Sequence, residues 1–190
     1  EMANTTRVVT LLNECQKLRI TIHPPDVNES SKNFRALDKK TISFGLNAIK
    51  NVGSKALTNI LAVREEKREF KTLFDFCENL DLRLVNKKVI ESLIAAGAMD
   101  SLEGNRAQKY NAVEIALKFA QHIQVEADNN QFSIFGEKSP DSSIISKPLF
   151  PEAPDWSEAD KLSKEKDLMG FYLTGHPLLK YSDILEKFSN

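Results

Sequence analysis

The sequence is poor in the residues that build catalytic and metal sites. Three histidines and two cysteines occur among its 190 residues, and neither type falls at the spacing of metal ligands. The chain has no Asp-x-Asp pair to hold the two metal ions of phosphoryl transfer, and no Walker loop, nucleophile elbow or Rossmann fingerprint. The sequence therefore predicts a chain that binds and positions a partner, with no catalytic residues, metal ligands or cofactor of its own.

Long apolar runs and an excess of one charge are also missing. No apolar run could span a bilayer, and no succession of charged, apolar and small residues marks a signal peptide, so we expect no membrane partner. The net charge of −1 excludes a polycation that coats DNA, so any nucleic-acid contact must come from a local cluster of cations. Cys15 and Cys77 lie in apolar helical patterns, which predicts small core residues in a reducing cytoplasm.

The sequence does contain many apolar patterns at helical spacing, interrupted by short strand-like stretches. A hydrophobic content of 41% suffices for a packed core. The predicted fold class is mainly α, with a tandem helix-hairpin-helix domain, a small β-hairpin and a long exposed linker. Thr72 is predicted to cap a helix through its hydroxyl. The predicted elements are a helix over 6–18, strands over 19–23, 33–37 and 41–44, and helices from residue 72, over 86–95 and over 106–124.

The stretch from Phe44 to Leu57 is the most informative part of the chain, because it predicts two short helices joined by a tight hairpin at Val52-Gly53. We expect Gly53 to take the positive φ that the hairpin needs and Ser54 to cap the second helix. The first-turn amides of that helix would then be free to bind a phosphate beside two flanking lysines. The alternative is an ordinary helical hairpin with a glycine turn. The predicted DNA-binding residues are Lys50, Asn51, Val52, Gly53, Ser54 and Lys55.

Residues 86–110 form a second candidate for the same hairpin. Here the turn falls at Ala96-Gly97-Ala98-Met99, and the following helix is entered through Asn105-Arg106. The match is weaker than the first, because residues 100–104 lengthen the turn and add negative charge. A purely structural helical hairpin is the favoured interpretation at this position.

An apolar island stands inside the polar stretch 125–155, which is interpreted as an exposed linker because its prolines and polar residues cannot propagate a helix. Such an island needs a partner to bury it, and a preformed groove could take its apolar side chains while the glutamine hydrogen-bonds at the rim. The alternative, that Phe132 and Phe135 fold back onto the helical core, is equally open. The residues of the predicted docking peptide are Gln131, Phe132, Ser133, Ile134 and Phe135.

With these residues identified, the chain resembles the C-family replicative DNA polymerases of bacteria, the polymerase III alpha subunits, over essentially its whole length. Several ordered blocks at the right separations make the resemblance specific. Asn51 departs from the family pattern, which usually has glycine there, so we expect a slightly altered hairpin. The matching blocks include 24–30, 44–53, 86–88, 97–100, 105–107 and 170–178.

The resemblance implies a non-catalytic processivity segment of a DNA-directed DNA polymerase, a nucleotidyltransferase of the bacterial cytoplasm. The catalytic aspartates of the family lie in a palm domain that precedes this segment, so Mg is expected only for the parent enzyme. Glu1 in place of an initial Met fits a segment of a longer protein. The implied domains are the end of the fingers (1–35), a helix-hairpin-helix domain that binds DNA and clamp (36–124), the linker with the clamp-binding peptide (125–155), and a helical segment (156–190) leading to an absent oligonucleotide-binding domain.

The implied partners follow from the same resemblance. The Gly53 hairpin should grip the backbone of the primer-template duplex, and the peptide over 131–135 should enter the pocket of the sliding clamp, the beta subunit. Other subunits of the polymerase III holoenzyme complete the expected partners.

Two other functions remain open from the residues alone. A DNA-repair enzyme of the base-excision type also has such a hairpin, followed about twenty residues later by a catalytic Asp, and Asp75 lies at that distance. Asp75 sits between two phenylalanines on a predicted core helix, and no basic nucleophile accompanies it. The third possibility is a helical scaffold without a nucleic-acid role.

Overall fold

The computed structural model describes residues 17–132 and 148–170, together with residues 7, 10, 11, 14, 15 and 172. The predicted mainly α class with a small β-hairpin is confirmed, and the described residues between 7 and 17 are helical. The elements in chain order are strands β1 (Thr21–His23), β2 (Arg35–Ala36) and β3 (Thr41–Ser43), a 3-10 helix (Leu46–Ala48), and helices α1 (Ser54–Lys67), α2 (Leu73–Asn79), α3 (Lys87–Ala95), α4 (Arg106–Phe132) and α5 (Glu158–Met169).

The three strands form one small sheet in the order β1-β3-β2. Strands β2 and β3 pair antiparallel, which confirms the predicted hairpin, and β1 adds to β3 in parallel with Ile22 opposite Ile42. Asp38 closes the hairpin turn, since its Oδ1 accepts a hydrogen bond from the Lys40 amide at 2.7 Å. Hydrogen bonds from Lys40 and Thr41 lower the pKa of the Asp38 carboxyl. The sheet leads directly into the 3-10 helix.

The hydrophobic core runs through all the helices. Phe44, Leu57, Phe76 and Leu93 are fully buried, and Met169 joins the core from the end of α5. Burial of each large apolar side chain contributes about 1.5–3 kcal/mol, so the core dominates the stability of this domain. Cys77 belongs to it, and burial raises the pKa of its thiol to about 12.

Side-chain caps set the first residues of three helices. The Thr72 hydroxyl accepts a hydrogen bond from the Asp75 amide at 3.0 Å, so the predicted cap of α2 is confirmed. Asn86 caps α3 and Ser157 caps α5 in the same way. Each such cap contributes about 1 kcal/mol to helix stability.

The predicted linker over 125–155 needs correction at both ends. Helix α4 continues to Phe132 and does not end at residue 124. At the other end, the Phe150 ring lies 5.3 Å from that of Phe74, and Trp156 packs on Tyr110 at the same centroid distance. Phe150 and Trp156 are partly buried against the core by these long-range contacts, which the polar composition of the stretch does not reveal.

A buried ion network joins α4 to α5. The Arg106 guanidinium donates hydrogen bonds to Asp100 at 2.6 Å and to Glu165 at 2.9 Å, and the Arg106 and Glu165 side chains are 7% and 1% exposed. Burial acts to lower the pKa of Arg106, but the two carboxylates outweigh this effect and raise it. Separation of such a pair would leave a buried charge uncompensated, so the paired state is favoured. The network therefore holds α5 against the start of α4.

Lys109 is a second buried cation in α4. Its ammonium group donates hydrogen bonds to the carbonyl oxygens of Met99 (2.7 Å) and Leu102 (3.0 Å), and only 1% of the residue is exposed. Burial lowers the pKa of Lys109. The Lys109 side chain thus stabilises the loop between α3 and α4 by satisfying its carbonyl groups.

No described helix is both long and apolar enough to cross a membrane.

We expect Lys109→Met to lower the free energy of unfolding by about 1–3 kcal/mol, because buried carbonyl groups lose their hydrogen-bond donor. Urea unfolding followed by circular dichroism would measure this change. Lys118→Met is the matched control, since Lys118 lies exposed on the same helix. Equal stability of the two variants would show that the Lys109 hydrogen bonds contribute nothing net.

Candidate nucleic-acid interface

The predicted hairpin is present, with a single 3-10 turn as its first helix. After Leu46–Ala48, the Ile49 amide donates to the Leu46 carbonyl and the Val52 amide donates to the Ile49 carbonyl. Ile49 and Val52 are 1% and 6% exposed, so both anchor the loop in the core. Apolar contacts of these two side chains with the core therefore anchor the hairpin on its inner side. Polar backbone groups lie on its outer side.

The left-handed residue of the hairpin is Asn51, and the expectation that Gly53 takes a positive φ is wrong. Asn51 has a φ of 67°, whereas Gly53 has φ −74° and ψ 156°, which is extended backbone. Asparagine tolerates the left-handed region better than most residues. Its side-chain amide also donates to the Ser92 hydroxyl of α3 at 3.1 Å. Asn51 thus supplies the left-handed turn of the first hairpin and links it to α3 of the second.

Gly53, and not Ser54 as predicted, is the N-cap of α1, and it makes no side-chain cap hydrogen bond. A Cβ atom at Gly53 would meet no atom within 4 Å, so neither backbone conformation nor packing requires glycine there. The Leu57 amide is the first to bond back into the helix, at 3.1 Å from the Gly53 carbonyl. The amides of Ser54, Lys55 and Ala56 therefore precede the helical ladder, and the space beside the Gly53 Cα is open.

The electrostatics of this helix start favour an anion. Helix α1 has 14 residues, no acidic residue in its first turn, and two basic residues in its last turn. The positive end of its dipole is therefore not neutralised by a carboxylate of the same turn. A phosphate oxygen at this point would accept hydrogen bonds from the first-turn amides.

The structure distributes the cations around the hairpin differently from the prediction. Lys55 is exposed beside the helix start, as expected. The Lys50 ammonium group instead donates to the Asp167 carbonyl at 2.7 Å, and the Lys50 amide donates to the Leu168 carbonyl at 3.0 Å. Lys50 thus docks the hairpin on the C-terminal end of α5.

Lys32 is a cation at the helix start that sequence reasoning missed. Its ammonium group donates to the Ser54 hydroxyl at 2.7 Å, across 22 residues of chain. The backbone nearby explains this approach, because the Asn47 amide donates to the Lys32 carbonyl. A Cβ at Gly45 would come within 2.4 Å of the Asn33 backbone, so glycine is required for this contact. Only the run of cations before the hairpin could have pointed to Lys32.

The second hairpin has the geometry of a structural element. Gly97 takes a φ of 81°, and a Cβ there would collide with the Arg106 guanidinium at 2.3 Å. Asn105 and Gln108 cap the start of α4 reciprocally, each side chain accepting from the other residue's amide. Asn105 also donates to the Ala153 carbonyl. The protein itself thus satisfies and covers this helix start.

Asp75 has a capping role that accounts for its position. Its carboxylate accepts from the Lys71 amide at 3.0 Å and from the Asn79 side chain at 3.2 Å. It is the third residue of α2, where a carboxylate stabilises the helix N-terminus. Within the described part of the chain, no group of three or more His, Cys, Asp or Glu side chains could hold a metal ion.

Only the beginning of the predicted clamp-binding peptide lies among the described residues. Gln131 and Phe132 are the last two residues of the α4 backbone helix. Ser133, Ile134 and Phe135 lie outside the described residues.

Two comparisons with known proteins agree with this geometry. A family model described as a helix-hairpin-helix motif matches residues 19–109, which include the sheet, both hairpins and the first turn of α4. The chain is also similar along its length to proteins named DNA polymerase III subunit alpha. The relative from Vibrio cholerae is 40% identical over 191 residues, covering 100% of this chain and 16% of the relative.

Other relatives of the same name give the same alignment range. Identity to the protein from Caulobacter vibrioides is 35% over 178 residues, covering 94% of this chain and 15% of the relative. The protein from Escherichia coli K12 is 35% identical over 189 residues, covering 99% of this chain and 16% of the relative. The chain thus spans about one sixth of the length of the curated relatives it matches.

The left-handed turn predicts a distinct response to substitution at Asn51. We expect Asn51→Val to lower the free energy of unfolding by about 1–3 kcal/mol, because a β-branched residue is strained at a φ of 67°. Asn51→Gly should lower it by less than 1 kcal/mol, since glycine accepts this φ while the hydrogen bond to Ser92 is lost. Thermal unfolding of both variants measures the difference, and equal losses would contradict the assignment of strain.

Proposed function

We propose that this chain belongs to the DNA polymerase III alpha-subunit family, as the similarity along the whole of this chain supports, and that it acts as a non-catalytic processivity segment of a replicative polymerase. It binds duplex DNA through the Gly53 hairpin and the sliding clamp through the peptide Gln131–Phe135. The observation that carries the first part is the open start of α1 at Gly53, where three amides precede the helical ladder.

The duplex is held by its phosphates and not by its bases. The amides after Gly53 donate hydrogen bonds to one phosphate, and the dipole of α1 favours its charge. Lys55 and Lys32 add positive charge on either side of Ser54. Contacts of this kind fix the position of a protein on DNA without reading sequence. A replicative polymerase needs this property, because it must hold every sequence it copies.

Catalysis belongs to the longer parent protein. In the C family the metal-binding aspartates lie in the palm domain, outside the range of this segment. The parent enzyme would use Mg for nucleotidyl transfer, and the segment alone would have no polymerase activity. Its role is to keep the primer-template duplex and the clamp attached to the same polypeptide, together with the other subunits of the holoenzyme.

Clamp attachment rests on the peptide over 131–135, which begins with the last two residues of α4. Val125 is 56% exposed, and Glu126 and Ala127 are exposed as well, so the side chains of α4 are solvent-exposed over 125–127. A short peptide with apolar anchors at Ile134 and Phe135 suits a preformed hydrophobic groove. An affinity in the micromolar range, roughly −8 kcal/mol, is expected for such a peptide.

Substitution of Gly53 separates DNA binding from folding. We expect Gly53→Asp to weaken binding of a 20-base-pair duplex by at least about 10-fold, because its carboxylate takes the place of the phosphate. The unfolding free energy should stay equal or rise, since aspartate is a favoured N-cap and its Cβ meets open space. Fluorescence anisotropy and thermal unfolding give the two readouts.

Gly53→Asn is the matched control, because it has the same shape and also caps a helix but carries no charge. The aspartate variant should bind DNA more weakly than the asparagine variant. Equal affinities for the original chain, Gly53→Asp and Gly53→Asn would place DNA binding elsewhere on the chain, whereas no binding by any of the three would leave a helical scaffold as the better description.

The clamp contact is tested by calorimetric titration of the chain with a bacterial sliding clamp. We expect micromolar or tighter binding by the original chain, and no detectable binding by the triple variant Gln131→Ala, Ile134→Ala, Phe135→Ala. The variant should keep its unfolding temperature, because these residues lie beyond Ala120, the last buried residue described in α4. Equal binding by both chains would show that the clamp contact does not depend on residues 131–135. No binding by the original chain would remove the clamp from the proposed partners and leave DNA alone.

A further inference from the structure

One short stretch of the chain carries a large local excess of positive over negative charge. Residues 32–55 contain six cations (Lys32, Arg35, Lys39, Lys40, Lys50 and Lys55) and one acidic residue, Asp38, for a net charge of +5. The rest of the chain has 20 lysines and arginines against 26 acidic residues, a net charge of −6. A nearly neutral protein thus carries a strongly basic segment, which comprises the β2–β3 hairpin and the Gly53 hairpin.

Outside the basic segment, some cations pair with carboxylates and others, such as Arg68, Lys71 and Lys118, are exposed and form no ion pair among the described residues. The paired cations are Lys67, Arg83, Lys87, Arg106 and Lys161. Within the part of the chain that the structure describes, Arg35, Lys39, Lys40 and Lys55 form no ion pair, and all four are exposed. Their clustering brings like charges together and gains no internal contact, so folding does not explain it.

The single acidic residue of the segment does not neutralise these cations. Asp38 accepts hydrogen bonds at the tip of the β-hairpin, including that from the Lys40 amide at 2.7 Å, and so serves to close the turn. Protection of an edge strand is a common reason for surface lysines. That reason does not account for Lys39 and Lys40, because they lie in the turn and β2 has only two residues.

The chain that leads into the β2–β3 hairpin contacts the Gly53 hairpin. Lys32, three residues before β2, bonds to Ser54 at the start of α1, and the backbone around Asn33 packs on Gly45. From Lys32 the chain passes Arg35 and reaches the turn at Asp38 after six residues. At about 3.3 Å per residue this path covers up to roughly 20 Å, which matches about six base pairs of duplex at 3.4 Å each.

We infer that the β2–β3 hairpin is a second DNA-backbone contact, in which Arg35, Lys39 and Lys40 extend the phosphate track that starts at the Gly53 hairpin. The ligand is the duplex phosphate backbone, which is recognised by charge alone. This inference rests on the proposed DNA binding of the Gly53 hairpin. It adds a separate surface to that binding, with its own residues and its own test.

Salt dependence of duplex binding tests the inference. We expect the triple variant Arg35→Gln, Lys39→Gln, Lys40→Gln to bind a 20-base-pair duplex roughly 30-fold or more weakly at 50 mM salt. The slope of log K against log salt should fall in magnitude by about 2–3, since each neutralised phosphate contributes about 0.9. The backbone hydrogen bonds of the hairpin do not involve these side chains, so thermal unfolding should be unchanged.

The control is the triple variant Arg68→Gln, Lys71→Gln, Lys118→Gln. It removes the same charge from exposed positions outside the basic segment, so it isolates the effect of net charge. If the two triple variants bind alike while Gly53→Asp still weakens binding, the β-hairpin inference is wrong and the Gly53 site stands. If the original chain does not bind duplex DNA at 50 mM salt, the proposed function itself fails.

A second readout uses the original chain alone. Acetylation of lysines, followed by mass spectrometry, should show Lys39 and Lys40 protected by duplex DNA while Lys71 and Lys118 react as before. Protection of Lys55 without protection of Lys39 and Lys40 would overturn the inference and keep the Gly53 contact.

Discussion

The buried contact of Arg106 with Glu165 is the interaction on which the arrangement of this domain depends. It connects residues 59 positions apart and brings α5 against the start of α4. Helix α5 then offers the Asp167 and Leu168 carbonyls to Lys50, which sits in the first hairpin. The first hairpin, the second hairpin and the last described helix are thus coupled through one buried charge pair. Removal of either charge would leave the other uncompensated inside the protein.

The elements that sequence predicted well are those with local signals. Thr72 before an apolar helical pattern predicted its cap, and the polar turn at 38–40 predicted the β-hairpin, because both depend on neighbours in the chain. The candidate site was found by its glycine, yet the left-handed conformation belongs to Asn51. Which residue of a turn takes a positive φ is decided by how Ile49 and Val52 enter the core, and this is a tertiary constraint. The Lys32 to Ser54 contact was missed for the same reason.

The two hairpins show how one motif serves two purposes. In the first, the residue that caps the helix has no side chain, and the helix start is open. In the second, Asn105 and Gln108 satisfy the helix start, and Arg106 fills the space above Gly97. The backbone plan is shared, but the side chains at the helix start decide whether an external anion has donors left to bind. The family match covers both hairpins and does not distinguish them.

Helix α4 has a mechanical consequence for whatever binds at its end. Its 27 residues correspond to roughly 40 Å at 1.5 Å per residue, and Gln124 is held by the Glu78 and Leu80 carbonyls before the helix leaves the core. About two further turns of backbone helix follow Gln124, and the direction in which the chain leaves α4 rotates by about 100° for each residue added or removed. Loss of one residue between Gln124 and Gln131 would swing the attached peptide sideways, whereas loss of a whole turn would mainly shorten its reach. The reach and the direction of the segment that follows α4 thus change in steps of one residue.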